Sequence, residues 1–363
     1  MKLAILTNNL APYRLQVYSK LAESFDLTVF HGGLEANRKE WSDGPGAAEV
    51  TTKRSWGFQV PFSKKRNGQR IDSRFFHITP GFLIDMVRFR PNRVISSEMG
   101  LRSLLALTYG LLFGVPVWIW WGGTRHTERD LGFLRRLTRM LFRNVARQWI
   151  SYGKSSTDYL VTLGVPRDRI LQLQNCVDDR LFCPEGPRRL TRAPRPVVLH
   201  VGRLVAGKAI DSLLDAAATL QREGRVFSLV LVGSGPDEAK LKARAQALKL
   251  ANVHFDGAVR PDEMPAIYRG ADLLVFPTLE DVWGLVINEA LLCGVPVLCS
   301  KYAGCAEELV APDAIFDPAD QKSFAESLRR MISVLPETPD RSRIVSSDAV
   351  ASLIATAVSR KVP

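Results

Sequence analysis

Four runs in the second half of the chain restrict the fold more than any other feature. They are VVLHVGRL (197–204), FSLVLVGSG (227–235), DLLVFPT (272–278) and VPVLCS (295–300). Each is apolar almost throughout and rich in β-branched residues, so each reads as a strand covered on both faces, unlike the in–out alternation of a half-exposed sheet. Helical patterns over Ile210–Glu223 and Asp237–Leu250 separate them, and LAILTN (3–8) and LTVFHG (27–32) begin the same alternation at the start of the chain. Strands alternating with helices predict an α/β fold of doubly wound parallel sheets. A chain of 363 residues is too long for one ordinary core. The Pro- and Arg-rich stretch 183–197, without apolar periodicity, is the best place for a boundary.

The expected organisation is a Rossmann-like domain over 1–182, a linker over 183–196, a second Rossmann-like domain over 197–335, and a helix within 336–363. That helix packs either on its own domain or back on the first; the sequence does not decide. GVPVWIWW from Gly114 and GVPVLCS from Gly294 repeat one turn, a helix-ending Gly, a Pro, then a strand, as two similar halves would. The uncharged run Ser103–Thr124 is interrupted by Gly110, Gly114 and Pro116, and reads as a buried helix, a turn and a buried strand rather than a membrane span. MKLAILTNN is too short an apolar run for a secretory signal and reads as the first strand.

Three stretches carry chemistry. In HVGRLVAGKAID (200–211) a strand ends at Gly202, and Arg203 and Lys208 precede a helix start, a combination suited to a diphosphate, though both are also ordinary residues at a strand end. LVGSGPDE (231–238) invites a dinucleotide reading, but Glu238 stands where the third glycine of that motif belongs, which argues against a nicotinamide enzyme. LEDVWGLVINEA (279–290) places Glu280, Asp281 and Glu289 between a strand end and a helix whose first amides, Gly284, Leu285 and Val286, are free to meet a phosphate oxygen. Carboxylates repel phosphate but accept from pairs of hydroxyls. Cations and free amides beside carboxylates describe a nucleotide sugar.

The run 272–310, with LEDVWGLVINEALLCGVPV at its centre, resembles the signature region of glycosyltransferase family 4, whose motif places two acids eight positions apart. GRLVAGK resembles the family's cationic element, QNCVD (174–178) its N-G-V-D with Cys176 in place of Gly, and FDPADQKSFAESLRRMI (316–332) the segment after the site. The resemblance covers about 170–332 and implies a retaining enzyme of the GT-B fold, two Rossmann-like domains facing across a cleft. It implies that Arg203 and Lys208, beside Gly202, hold the diphosphate. Glu289 would bind the ribose hydroxyls, Asp281 the transferred sugar, and the amides from Gly284 to Val286 the β-phosphate. Val259 and Arg260 fall where the family places the base. The first motif acid is by spacing Asp281, one methylene shorter than usual, with Glu280 beside it as a further donor-side candidate. The first half resembles the family less; Asn9, Arg14 and His126 are its acceptor-side candidates.

The net charge of +12 is unevenly spread: residues 1–170 hold 26 Lys and Arg against 13 Asp and Glu, so the excess lies in the first half. Such asymmetry suggests an acidic partner. LGFLRRLTRMLFRNVARQWI (131–150) reads as one amphipathic helix. Leu134, Leu137, Leu141, Val145 and Trp149 share a face, opposite Arg135, Arg136, Arg139, Arg143 and Arg147. The cationic face suits anionic lipid or plain solvent. Residues 38–74 add cations and Trp41, Trp56 and Phe58 in a loop-like stretch.

The leading expectation is therefore transfer of a sugar from a UDP- or GDP-sugar to a glycan acceptor, lipid-linked, at the cytoplasmic membrane face. The alternative is a soluble sugar or sugar-phosphate acceptor; nucleic-acid binding is distant, because no aromatic-basic RNA motif or recognition helix is evident. No cofactor is implied, since the nucleotide sugar is a substrate. No metal is implied either: there is no D-x-D pair and no clustered His/Cys/Asp site. Five cysteines without metal spacing suggest reduced thiols and a cytoplasmic setting.

Overall fold

The computed structural model describes residues 1–33, 50–66, 69–335 and 339–360, with the backbone alone over 61–66 and 69–74. The chain forms two compact units, one of Met1–Ser63, Ser73–Asp178 and Val345–Pro363, the other of Lys64–Asp72 and Asp179–Ile344.

The first unit opens with β1 (Lys2–Thr7), α1 (Pro12–Ala22), β2 (Asp26–His31) and β3 (Thr52–Arg54). After β4 (Phe58–Arg66) and β5 (Gln69–Ile78), which pair only with each other, come α2 (Gly81–Phe89), β6 (Arg93–Ser97), α3 (Leu101–Phe113) and β7 (Val117–Trp121). α4 (Phe133–Val145), β8 (Gln148–Tyr152), α5 (Gly153–Thr162) and β9 (Ile170–Leu173) follow. The main sheet has the order β3-β2-β1-β6-β7-β8-β9, with every described pairing parallel. Its apolar strands are buried: Leu3, Ile5, Ile95, Ile119 and Trp149 lose essentially all contact with solvent. Side chains of α2, α3, α4 and α5 join one core cluster with this sheet, including Met86, Ala106, Phe142 and Leu160.

The second unit runs β10 (Val197–Val201), α6 (Ile210–Arg222), β11 (Ser228–Val232), α7 (Glu238–Ala247), β12 (Val253–Gly257), α8 (Met264–Tyr268) and β13 (Leu273–Phe276). It continues through α9 (Leu285–Leu292), β14 (Val297–Ser300), α10 (Ala306–Leu309), β15 (Ile315–Phe316) and α11 (Gln321–Ser333). The sheet is again parallel, in the order β12-β11-β10-β13-β14-β15. Both sheets are thus doubly wound, and each reverses its winding beside its first strand, between β1 and β6 and between β10 and β13. α12 (Ser347–Ser359) belongs to the first unit, packed on α1, with Arg93 donating to the carbonyl of Val358 at 3.0 Å.

Two expectations need correction. The stretch read as one helix over 131–150 is a helix and a strand: Ala146 turns extended at φ −83°, ψ 126°, and Trp149 and Ile150 enter the sheet core. The two faces of α4 are also reversed relative to a normal surface helix. Arg139 points inward, its Nε 2.7 Å from Glu128 and its guanidinium 4.4 Å over the Trp121 ring, while Leu134, Leu137 and Leu141 face solvent. A cation turns inward because Glu128 and an aromatic face wait there to receive it. Within 38–74, Arg38 and Trp41 lie outside the described residues. So do the other residues of 39–49 and residues 67 and 68, while 52–54, 58–66 and 69–74 are strand rather than loop, in β3, β4 and β5, with Trp56 and Phe58 exposed.

Candidate functional site

In a doubly wound sheet the loops at the carboxyl ends of strands diverge where the winding reverses, leaving space for a ligand. In the second unit that point lies between the loops after β10 and β13, which hold Gly202, Arg203 and Lys208 and Glu280 and Asp281. The two loops are strapped together: Leu279 N donates to the Gly207 carbonyl at 2.9 Å, and the Thr278 hydroxyl donates to the same carbonyl at 3.3 Å. The strap brings Lys208 Nζ to 2.5 Å from Asp281 Oδ2 and to 4.9 Å from the Phe276 ring centre. Ala209, next to Lys208, holds a left-handed φ of 48°, a strained conformation for a residue with a Cβ.

Asp281 is fixed on all sides. Its Oδ1 accepts from Trp283 N at 3.0 Å, its own N donates to the Tyr302 carbonyl, and its carbonyl accepts from Gly304 N. Trp283 is buried and donates Nε1–H to the buried Asn288 at 2.9 Å. Gly284 then starts α9 at φ 102°; a Cβ there would lie 2.9 Å from the Phe276 ring, so conformation and space both require glycine. No side chain caps α9, which leaves Leu285 and Val286 at its start with first-turn amides facing outward.

Glu289, one turn further along α9, accepts from the buried Tyr268 hydroxyl at 2.5 Å. Burial pushes its carboxyl up to about 7, with the Tyr268 hydrogen bond opposing the rise. Burial likewise pushes the Tyr268 phenol up, so it stays a donor. Tyr268 was not anticipated: it ends a helix of five residues, too short to show periodicity, and only its place in the AIYRGAD run could have marked it.

The glycines of the 233–235 turn serve packing. A Cβ on Gly233 would sit 1.9 Å from the Gly202 carbonyl oxygen and one on Gly235 2.2 Å from that of Leu204, while Leu204 N donates to the Ser234 carbonyl at 2.9 Å. Backbone thus rests on backbone behind the Arg203 loop. The structure therefore brings Lys208, Asp281, Gly284 and the start of α9 together, with Glu289 on the same helix and Arg203 in the Lys208 loop. Arg260, following Val259 in the loop after β12, is 71 % exposed and pairs with Asp262 at 3.2 Å, away from these contacts. No group of three or more His, Cys, Asp or Glu able to hold a metal occurs among the described residues.

In the first unit, the corresponding reversal carries Asn9 in the loop after β1, with Arg14 and Arg102 in the first turns of α1 and α3. Arg14 is buried, its guanidinium 4.2 Å over the Trp120 ring and 5.2 Å over that of Tyr152. Among the described residues, Arg14 Nη1 and Asn9 Nδ2 have no hydrogen-bond partner. Arg102, also buried, donates to Asn8 and to the Ser97 carbonyl; burial lowers its pKa to about 10, which leaves it charged at neutral pH. Glu98, between β6 and α3, holds a left-handed φ of 69°. His126 lies in the turn after β7, where its carbonyl accepts from Arg129 at 2.6 Å.

Residues 187–344 match the family model described as glycosyl transferases group 1. Among curated proteins, the chain is 25 % identical over 281 residues to sulfoquinovosyl transferase SQD2 of Arabidopsis thaliana, covering 70 % of this chain and 52 % of that protein. It is 26 % identical over 338 residues to a GDP-mannose-dependent alpha-(1-6)-phosphatidylinositol monomannoside mannosyltransferase of Mycobacterium tuberculosis, covering 84 % of this chain and 82 % of that protein. The chain spans about half or less of the length of the first curated relatives it matches. Among solved structures, Anabaena HepE in complex with UDP superposes with a TM-score of 0.68 at 18 % identity, covering 99 % of this chain and 95 % of that one. By fold the chain is of the GT-B type, and through residues 187–344 it is related to the group 1 glycosyl transferases.

Proposed function

We propose that the protein is a retaining glycosyltransferase that moves a sugar from a UDP- or GDP-sugar to a glycan acceptor, lipid-linked, at the cytoplasmic face of a membrane. One observation carries the donor side: Lys208 and Asp281, one suited to phosphate and the other to hydroxyls, meet at the sheet reversal beside the uncapped start of α9. In this reading the diphosphate takes Lys208 from Asp281. Arg203, Lys208 and the amides of Gly284, Leu285 and Val286 then hold the phosphates and stabilise the negative charge that builds as the sugar–oxygen bond breaks. Asp281, released from the lysine, accepts from hydroxyls of the transferred sugar, and Glu289 accepts from the ribose. The loop of Val259 and Arg260 lies towards the base. With both carboxylates of this set engaged, Asp281 by sugar hydroxyls and Glu289 by the ribose and Tyr268, the acceptor hydroxyl attacks from the face the phosphate leaves, its proton passing to a departing phosphate oxygen, and configuration is retained.

The relatives support this breadth of donors: HepE was solved with UDP, and the mycobacterial relative is named as GDP-mannose-dependent. On the acceptor side, the buried cations Arg14 and Arg102 in the first turns of α1 and α3, with Asn9 after β1, suit an acceptor bearing phosphate. That feature is shared by lipid-linked sugars and by the second reading, a soluble sugar phosphate. Transfer assays with UDP- and GDP-sugars, paired with calorimetric titration of UDP and GDP, test the donor side. Glu289→Ala is expected to abolish both binding and transfer; unchanged nucleotide affinity in that variant would overturn the assignment.

A further inference from the structure

A helix on an α/β sheet normally turns its apolar face to the sheet and its charges to solvent. In α4 the outward stripe is apolar: Phe133, Leu134, Leu137, Met140 and Leu141 are between 45 and 79 % exposed. The inward side holds Phe142, Ala146 and the paired Arg139, so sheet contact is already satisfied without the stripe. Exposed Arg136 and Arg143 flank the stripe along one side, Arg135 and Arg147 lie at its two ends, and the helix carries no acid. On the same sheet face α3 ends in Leu111, Leu112 and Phe113, of which Leu111 is 86 % exposed. Isolated exposed leucines are ordinary, but five large apolar side chains in register along one helix are not.

We propose that α4 is the membrane-docking element of this protein: it lies in the plane of an anionic bilayer with Phe133, Leu134, Leu137, Met140 and Leu141 among the acyl chains and the flanking arginines on lipid phosphates. The charge pattern selects this occupant. A protein partner for such a stripe would need an apolar groove rimmed by acids, whereas an anionic bilayer supplies an apolar interior beneath a negative surface. No helix among the described residues is long and apolar enough to cross a membrane, so α4 acts by lying on the surface. The proposal rests on the membrane location in the proposed function and names the element behind it, but it concerns a face that shares no residue with the donor site, so flotation can fail while transfer and nucleotide binding stand. It also differs from an Arg-face contact, since the leucines enter the lipid and Arg139 does not take part.

The experiment is flotation of the full chain with vesicles of phosphatidylcholine alone or mixed with phosphatidylglycerol, at low and high salt. The native chain is expected to float with the mixed vesicles and to be weakened by salt. Leu137→Gln with Leu141→Gln is expected to lower partitioning at least about tenfold, and Arg136→Gln with Arg143→Gln to do so on anionic vesicles specifically. Both variants keep the native melting temperature and nucleotide affinity. Unchanged flotation of the leucine variant overturns the proposal. So does failure of the native chain to float, or a native dimer that the leucine pair converts to monomer, which would make the stripe a contact between copies. A large loss of melting temperature in the leucine variant overturns it as well, because the stripe would then be packed rather than free.

Discussion

Glu289 presents a conflict between stability and binding that one substitution separates. Its carboxyl titrates near 7 in the folded chain because burial disfavours the charge, against an ordinary value of 4.5. The folded state therefore holds this proton more tightly than the unfolded chain. Below the ordinary value both states are protonated and the residue costs nothing. As pH rises to about 7 the unfolded chain ionises first, and native stability falls; above that both are ionised and the loss is complete. The shift corresponds to roughly 3 kcal/mol against the native state at alkaline pH. Glu289→Gln removes the charge while keeping an oxygen to accept from Tyr268, at some loss because a charged acceptor makes the stronger bond. Urea denaturation should thus find the variant more stable than the native chain by about 1–3 kcal/mol near pH 8.5, and about equal to it near pH 4.5. The same variant should lose nucleotide affinity, because the amide has one acceptor oxygen, already taking the Tyr268 hydroxyl, and its NH2 group offers only donors to the ribose. A stability difference independent of pH, or a variant less stable at alkaline pH, would refute the burial argument.

Three further outcomes follow from the same geometry. Asp281→Asn, which leaves Lys208 without its partner, should lower transfer at least about a hundredfold, while Glu280→Gln should change it less than about threefold; steady-state rates decide, and the reverse order would place the first motif acid one residue earlier. Gly284→Ala should cost about 2–3 kcal/mol in chemical denaturation and weaken nucleotide binding, since it forces a Cβ into a left-handed position against Phe276. Arg14→Leu should raise the acceptor KM about tenfold and leave the donor KM unchanged, because it removes a buried cation of the first unit whose Nη1 has no hydrogen-bond partner among the described residues.

The strands were legible because a strand buried on both faces cannot hide: the runs at 197–204 and 272–278 contain β10 and β13 whole. α9 was legible because Gly284 and Gly294 bound an apolar helical run, and Asp281 was singled out by the eight-residue spacing to Glu289 that the family resemblance implies. Other features were not. Nothing at Ala146 or Arg147 breaks helical periodicity, as no Gly or Pro intervenes, so α4 and β8 read as one element. Periodicity also shows that a helix has two faces without saying which one turns inward; Glu128 and Trp121, close in space but outside the helix, decide that for Arg139. Tyr268 and the Lys208–Asp281 pair are contacts between residues far apart in sequence, invisible until the loops are strapped together.

The placement of α12 bears on how the chain is made. The surface of α1 that α12 covers is synthesised more than three hundred residues before its cover. On the ribosome, then, the first unit must wait with that face open while 179–344, the bulk of the second, emerges in one piece. The domain begun first is the one finished last. Stalling translation before residue 347 would leave the second unit synthesised through residue 344, attached to a first unit that still lacks α12.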